Sequence, residues 1–118
     1  PLSLKSSIKN FDKINSKKSN KYLLIGDMLE LGSHSKKLHQ SIAPIINQTK
    51  IDKVFVKGKM ASIIFKNISK AKKGRILFKK SQIIELIRKD LNNNDYLMIK
   101  ASLATGFNDI VKDLKGLH

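Results

Sequence analysis

Three short clusters place ionisable and hydroxyl side chains just after apolar runs: Gly26-Asp27, Lys57-Gly58-Lys59 and Lys100-Ala101-Ser102, the last followed by Thr105. If those runs are parallel strands, the clusters share the carboxyl edge of one sheet, where open α/β folds bind ligands. Three lysines and one aspartate there make a mostly cationic rim, suited to a ligand bearing a carboxylate or a phosphate. Ser102 and Thr105 fall just before or within the first turn of a closing helix. Free N–H groups and the helix dipole attract anions at such a place. A hydroxyl there also serves as an N-cap, and the residues alone leave both roles open.

Other chemistries find less support. Asp27 and Glu30 are close enough in a loop to hold an amine or a metal, or simply to cap a turn and face water. His34 and His39 are five residues apart, which does not suit a zinc pair at i, i+4 on a helix face. A packing role fits both. There is no nucleophile–base constellation, no Gly-x-x-x-x-Gly-Lys-(Ser/Thr) loop and no Gly-x-Gly-x-x-Gly fingerprint. The chain is therefore not expected to bind a dinucleotide or to hold ATP phosphates unaided.

The net charge of +15 in 118 residues raises the question of a nucleic-acid partner. All of the 24 basic residues except Arg75 and Arg88 are lysine, spread from Lys5 to Lys115. Arginine is the usual reader of bases and phosphates, and no aromatic residues alternate with the lysines as a stacking platform. Lysine here accompanies abundant isoleucine and asparagine, as an AT-rich coding sequence would give. A solvated lysine surface is the expectation. The absence of cysteine excludes disulfides and thiolate metal sites and fits a reducing compartment. Apolar stretches of about five residues fall far short of the ~20 that a membrane helix needs. The first residues carry no apolar signal-peptide core, so a cytoplasmic chain without membrane insertion is expected.

The elements that would position these clusters alternate regularly. Leu4, Ile8, Phe11 and Ile14 stripe an N-terminal helix, with Ser3 as its expected cap. The run 22–25 reads as a strand buried on both faces. A helix over 34–48 turns Leu38, Ile42, Ile45 and Ile46 inward, and Pro44 is expected to kink it or end its first half. Strand 53–57, a short helix over 61–67 and an edge strand over 75–78 follow. Ser81 is the expected cap of a helix with Ile84, Ile87 and Leu91 facing inward and Ile83 alongside. Strand 95–99 and a last helix striped by Phe107, Ile110, Val111 and Leu114 complete the order. This alternation predicts one α/β domain over 1–118, a Rossmann-like, mostly parallel sheet with helices on both faces.

Residues 23–42, and above all Gly26-Asp27-Met28-Leu29-Glu30-Leu31-Gly32, resemble a signature of the Mur ligase family. The likeness is to the C-terminal domain of the branch that adds D-alanyl-D-alanine to UDP-N-acetylmuramoyl-tripeptide in peptidoglycan synthesis. Pro1 to Ile8 is similar to the continuation of that family's Asp-x-Tyr-Asn-Ala-Asn-Pro segment, entered at its proline. The stretch from Asp52 to Gly58 is similar to its next strand and glycine turn. Lys100 to Phe107 is similar to its Lys-Gly-Ser-(Arg/Asn) stretch, with Ala101 in place of the glycine and Leu103 in place of arginine or asparagine.

The resemblance implies a three-domain enzyme of which this chain is the last part, without the UDP-sugar domain and the central domain that holds ATP and Mg2+. It implies that ATP converts the tripeptide carboxylate to an acyl phosphate, which the amine of D-alanyl-D-alanine then attacks. This domain would position the dipeptide and exclude water. Lys100 and Ser102 would lie by the dipeptide, with Ser102 toward its carboxylate, Thr105 beside them and Asp27 lining the same cleft. No catalytic residue falls within the chain, and the piece alone is expected to turn over nothing. UDP-N-acetylmuramoyl-tripeptide and D-alanyl-D-alanine are the expected partners, nucleic acid is not, and a monomer is the expected state. Two other readings are a Mur-type ligase domain of different amino-acid specificity and a small basic nucleic-acid-binding domain.

Overall fold

The computed structural model describes residues 2–15, 17–27 and 35–101. Their elements run α1 (Leu2–Asp12), β1 (Lys21–Gly26), α2 (Ser35–Asn47), β2 (Lys53–Lys57), α3 (Ala61–Asn67), β3 (Lys73–Ile76), α4 (Lys80–Glu85) and β4 (Tyr96–Lys100). The strands form one sheet in the order β3-β2-β1-β4. Every pairing in it is parallel, so all four strands end at the same edge.

Side-chain alternation along the strands divides the core into two layers. Leu23, Ile25, Val54 and Val56 meet Leu4 and Ile8 of α1, Ile42 and Ile46 of α2, and Ile64 of α3. On the opposite face Leu24 and Phe55 meet Leu77, Ile83 of α4 and Leu86 just beyond it. Helices thus cover both faces, as the continuous apolar runs of β1 and β2 require. Burying one such side chain contributes roughly 1.5–3 kcal/mol. His39 of α2 is fully buried, in keeping with a packing role.

Several boundaries differ from expectation for identifiable reasons. Helix α1 begins at Leu2, so Ser3 lies inside it rather than capping it; Leu4 must already sit on a formed turn to reach the core. The expected stripe ends at Phe11, because Ile14 falls past the helix and is 39% exposed. Helix α2 does not stop at Pro44 but runs on to Asn47. Pro44 and Gln40, whose carbonyl loses its helical donor, are both exposed residues, so the loss falls on the solvent side of the helix and is tolerated. The last expected helix, with Phe107 and Leu114, lies outside the described residues.

Strand β3 is an edge strand but begins two residues earlier than expected, at Lys73. Only Ile76 brings an apolar side chain from it to the core; the Lys73 ammonium lies 5.5 Å from the centre of the Phe65 ring, and Gly74 sits flat against Phe55. The N-cap of α4 is Lys79 rather than Ser81, which lies inside the helix, and Gln82 of the first turn reaches back to it. The Gln82 side-chain oxygen accepts the backbone N–H groups of Phe78 and Lys79 at 2.6 and 2.8 Å. The inward face of this helix is Ile83 and Leu86, while Ile84, Ile87 and Leu91 are only half-buried. A π turn over Leu86–Asp90 rotates the last residues away from the expected stripe.

Lysine is also a fastener here. The Lys21 side chain is 3% exposed and donates to the Asp12 carbonyl at 2.5 Å. Lys53 holds the Ala71 carbonyl at 2.9 Å, and Lys72 holds those of Thr49 and Ile51, each at 2.8 Å. At the amino edge, Asp95 accepts the N–H groups of Asn20 and Asn92, both at 2.9 Å, and so ties the start of β4 to that of β1. Both bonds are exposed. Asp95→Ala should therefore lower stability by only about 1–2 kcal/mol, read as a shift of the urea midpoint with an unchanged m-value. Asp95→Asn, which keeps one acceptor, should lose about half as much.

Candidate functional site

Strand register decides which side chains meet. Gly26 of β1 pairs with Lys57 of β2, and Ile25 pairs with Lys100 of β4. Asp27, the Lys57-Gly58-Lys59 turn and Lys100-Ala101 consequently border one rim, at the carboxyl edge of the sheet. The end of β3 joins them, since the Leu77 N–H donates to the Val56 carbonyl at 2.7 Å. Ser102, Thr105, Glu30 and His34 lie outside the described residues.

Asp27 has a defined task at this rim. Its Oδ1 accepts the N–H of Ala61, the first residue of α3, at 2.7 Å across 34 positions of sequence. The turn between them depends on Gly58, whose φ of +118° suits glycine alone among ordinary residues. A Cβ at Gly58 would stand 2.5 Å from Asp27 Oδ1. The Gly58 carbonyl is held in turn by Ser62, through its N–H at 3.0 Å and its hydroxyl at 2.8 Å. The carboxylate thus braces the lysine-bearing turn against the end of β1.

Between the ends of β2 and β3 lies a pocket of about 260 Å³, lined by Lys57, Gly58, Lys59, Ser62, Ile76, Leu77 and Phe78. Phe78 is 74% exposed. Sequence reading assigned it to a strand and missed it as a rim residue. The lysine pair Lys79-Lys80 directly after it was the available signal that the strand had ended. A larger cleft of about 560 Å³ lies at the amino edge, bordered by Asp12, Lys21, Lys50 and Asp52. Its carboxylates are already engaged, Asp12 by the Lys50 N–H and Asp52 by the Lys21 N–H, each at 2.7 Å. That cleft is a structural joint, and the chemistry points to the carboxyl rim.

Among the described residues no group of three or more His, Asp or Glu side chains could hold a metal ion. No helix of the described residues is long and apolar enough to cross a membrane.

Comparison with known proteins agrees with the geometry. No family model matches the chain. It is 31% identical over 117 residues to the UDP-N-acetylmuramoyl-tripeptide–D-alanyl-D-alanine ligase of Bacillus subtilis, covering 97% of this chain and 25% of that protein. The ligase of the same name from Buchnera aphidicola is 31% identical over 96 residues, covering 80% of this chain and 20% of its own length. The crystal structure of the MurF ligase from Thermotoga maritima in complex with ADP superposes with a TM-score of 0.74 at 23% identity, over 95% of this chain and 25% of that one. The fold is thus shared with that structure, and the chain spans about a quarter of the curated relatives it matches.

Proposed function

We propose that this chain, a homologue of one quarter of the D-alanyl-D-alanine-adding Mur ligases, is the C-terminal, incoming-substrate domain of such an enzyme. The whole protein would be an ATP- and Mg2+-dependent cytoplasmic ligase joining D-alanyl-D-alanine to UDP-N-acetylmuramoyl-tripeptide through an acyl phosphate. The UDP-sugar and nucleotide sites would belong mainly to its other domains. The observation that carries this reading is the parallel register that brings Asp27 and Lys100 to one edge.

The contribution of this domain is placement. In this reading Lys100 supplies a positive charge at the rim, Ser102 would offer a hydroxyl to the dipeptide carboxylate, and Thr105 would take part in the same binding. Asp27 lines the cleft while bracing the neighbouring turn through Ala61. Holding the amine close to an activated carboxyl group converts a bimolecular encounter into an oriented one. Covering the reacting groups keeps water from competing for the acyl phosphate.

The direct test gives the full-length protein ATP and UDP-N-acetylmuramoyl-tripeptide and measures phosphate release. Release that depends on D-alanyl-D-alanine is expected; release driven by a single amino acid would instead indicate a ligase of other specificity. Within that assay, Ser102→Ala should raise KM for the dipeptide about tenfold, the worth of one charge-assisted hydrogen bond, and leave KM for ATP unchanged. An equal rise for both substrates would remove Ser102 from the carboxylate pocket.

A further inference from the structure

The pocket between the ends of β2 and β3 brings two features together on one lining. Lys57 and Lys59 flank the Gly58 turn and, like many of the other lysines, have no hydrogen-bond or ion-pair partner among the described residues, whereas Lys21, Lys53 and Lys72 hold backbone carbonyls. Beside them stands Phe78, the most exposed of the large hydrophobic side chains described, while Phe11 and Phe55 are buried.

The frame around these free groups is fixed. Gln82 ties down the Phe78 and Lys79 N–H groups, and Asp27 and Ser62 hold the Gly58 turn. Two cations and a bare ring on a rigid backbone are arranged in advance for a ligand. Among the described residues the carboxylate at the turn is Asp27, which already accepts from Ala61, and two lysine charges oppose its one.

We propose that this pocket is a second subsite, which binds an oxyanion through Lys57 and Lys59 and lays a planar or apolar part of the same ligand on Phe78. It is distinct from the Lys100 end of the rim: β4 and the β2–β3 junction are separated by two to three strand spacings, or ~12 Å. Lysine offers point charges without arginine's planar fork, so phosphate and carboxylate both fit. Assigning the sources rests on the ligase reading. Under that reading, the dipeptide carboxylate goes to the Lys100 end, and the second oxyanion is a nucleotide phosphate or a carboxylate of the UDP-linked peptide.

The experiment uses the full-length protein with Lys57→Gln and Lys59→Gln combined. KM and Kd are measured for ATP, for UDP-N-acetylmuramoyl-tripeptide and for D-alanyl-D-alanine. We expect a tenfold or greater rise for one of the first two, which identifies the source, and no change for the dipeptide. Phe78→Ala should move the same ligand, and Lys→Arg at both positions should restore it to within about threefold. Values within twofold of wild type for all three ligands, a uniform shift of all three, or a shift of the dipeptide alone would overturn the subsite. Should the wild type release no phosphate in response to the dipeptide, the ligase reading falls, and the subsite is then judged on inorganic pyrophosphate. Tenfold weaker pyrophosphate binding by the double variant supports it; equal binding refutes it.

Discussion

Gly58→Ala should destabilise the protein by about 3 kcal/mol. One part of that cost is conformational: a φ of +118° is hostile to a Cβ, at roughly 1–2 kcal/mol for a left-handed backbone. The other part is a collision, because the new methyl would stand 2.5 Å from Asp27 Oδ1. The carboxylate can yield only by releasing the Ala61 N–H, a charge-assisted bond of about 1.5–3 kcal/mol. The two parts separate in a double-mutant cycle. In an Asp27→Ala background the collision is gone, so Gly58→Ala should cost only its conformational share. Chemical denaturation of the four proteins measures this, and strictly additive costs would show that Asp27 and Gly58 act independently.

Phe55→Ala is expected to cost about 3–5 kcal/mol, the range for removing a buried aromatic ring from a core. Phe55 is 3% exposed and shares its layer with Leu24, Leu77, Ile83 and Leu86. Its ring lies 6.0 Å from that of Tyr22, tilted by 56°, and 5.4 Å from the Arg75 guanidinium carbon. The same ring forbids a side chain at Gly74, where a Cβ would come within 2.6 Å of it. Gly74→Ala should therefore destabilise by about 1–3 kcal/mol through overpacking. In the Phe55→Ala protein it should be neutral or slightly favourable, since alanine fills space the ring has vacated. A Gly74→Ala cost that persists without the ring would place the strain in the β3 backbone instead. Thermal or urea midpoints on the four proteins distinguish the two.

What the sequence makes legible follows from how local the cause is. Strands β1, β2 and β4 announce themselves because each is a continuous apolar run, and their parallel order follows from the helices between them. The rim carrying Asp27, Lys57 and Lys100 could be drawn from that order alone. The start of β3 is hidden because its first two residues pack through the Lys73 ammonium over Phe65 and the bare backbone of Gly74 against Phe55, neither of which registers as hydrophobic. The start of α4 is hard to read because its N-cap is a lysine, Lys79, and the bonds that secure it come from Gln82 reaching back to two N–H groups, not from a serine capping forward. The bond from Asp27 to Ala61 spans 34 residues; no local pattern encodes it, and only the finished sheet brings its ends together. Phe78 reads as a strand residue by its type, and only the Lys79-Lys80 pair after it hints that the sheet ends before it.

An excess of lysine such as this chain carries would ordinarily be expected to decorate only the outside of a protein. Here some of that excess has become joinery: the amines of Lys21, Lys53 and Lys72 latch onto main-chain oxygens that loops would otherwise leave to solvent. Acylating reagents that neutralise amines would therefore unfasten connections between secondary-structure elements as well as strip a charged coat. Shedding the lysine load by surface mutation would have to spare those three positions.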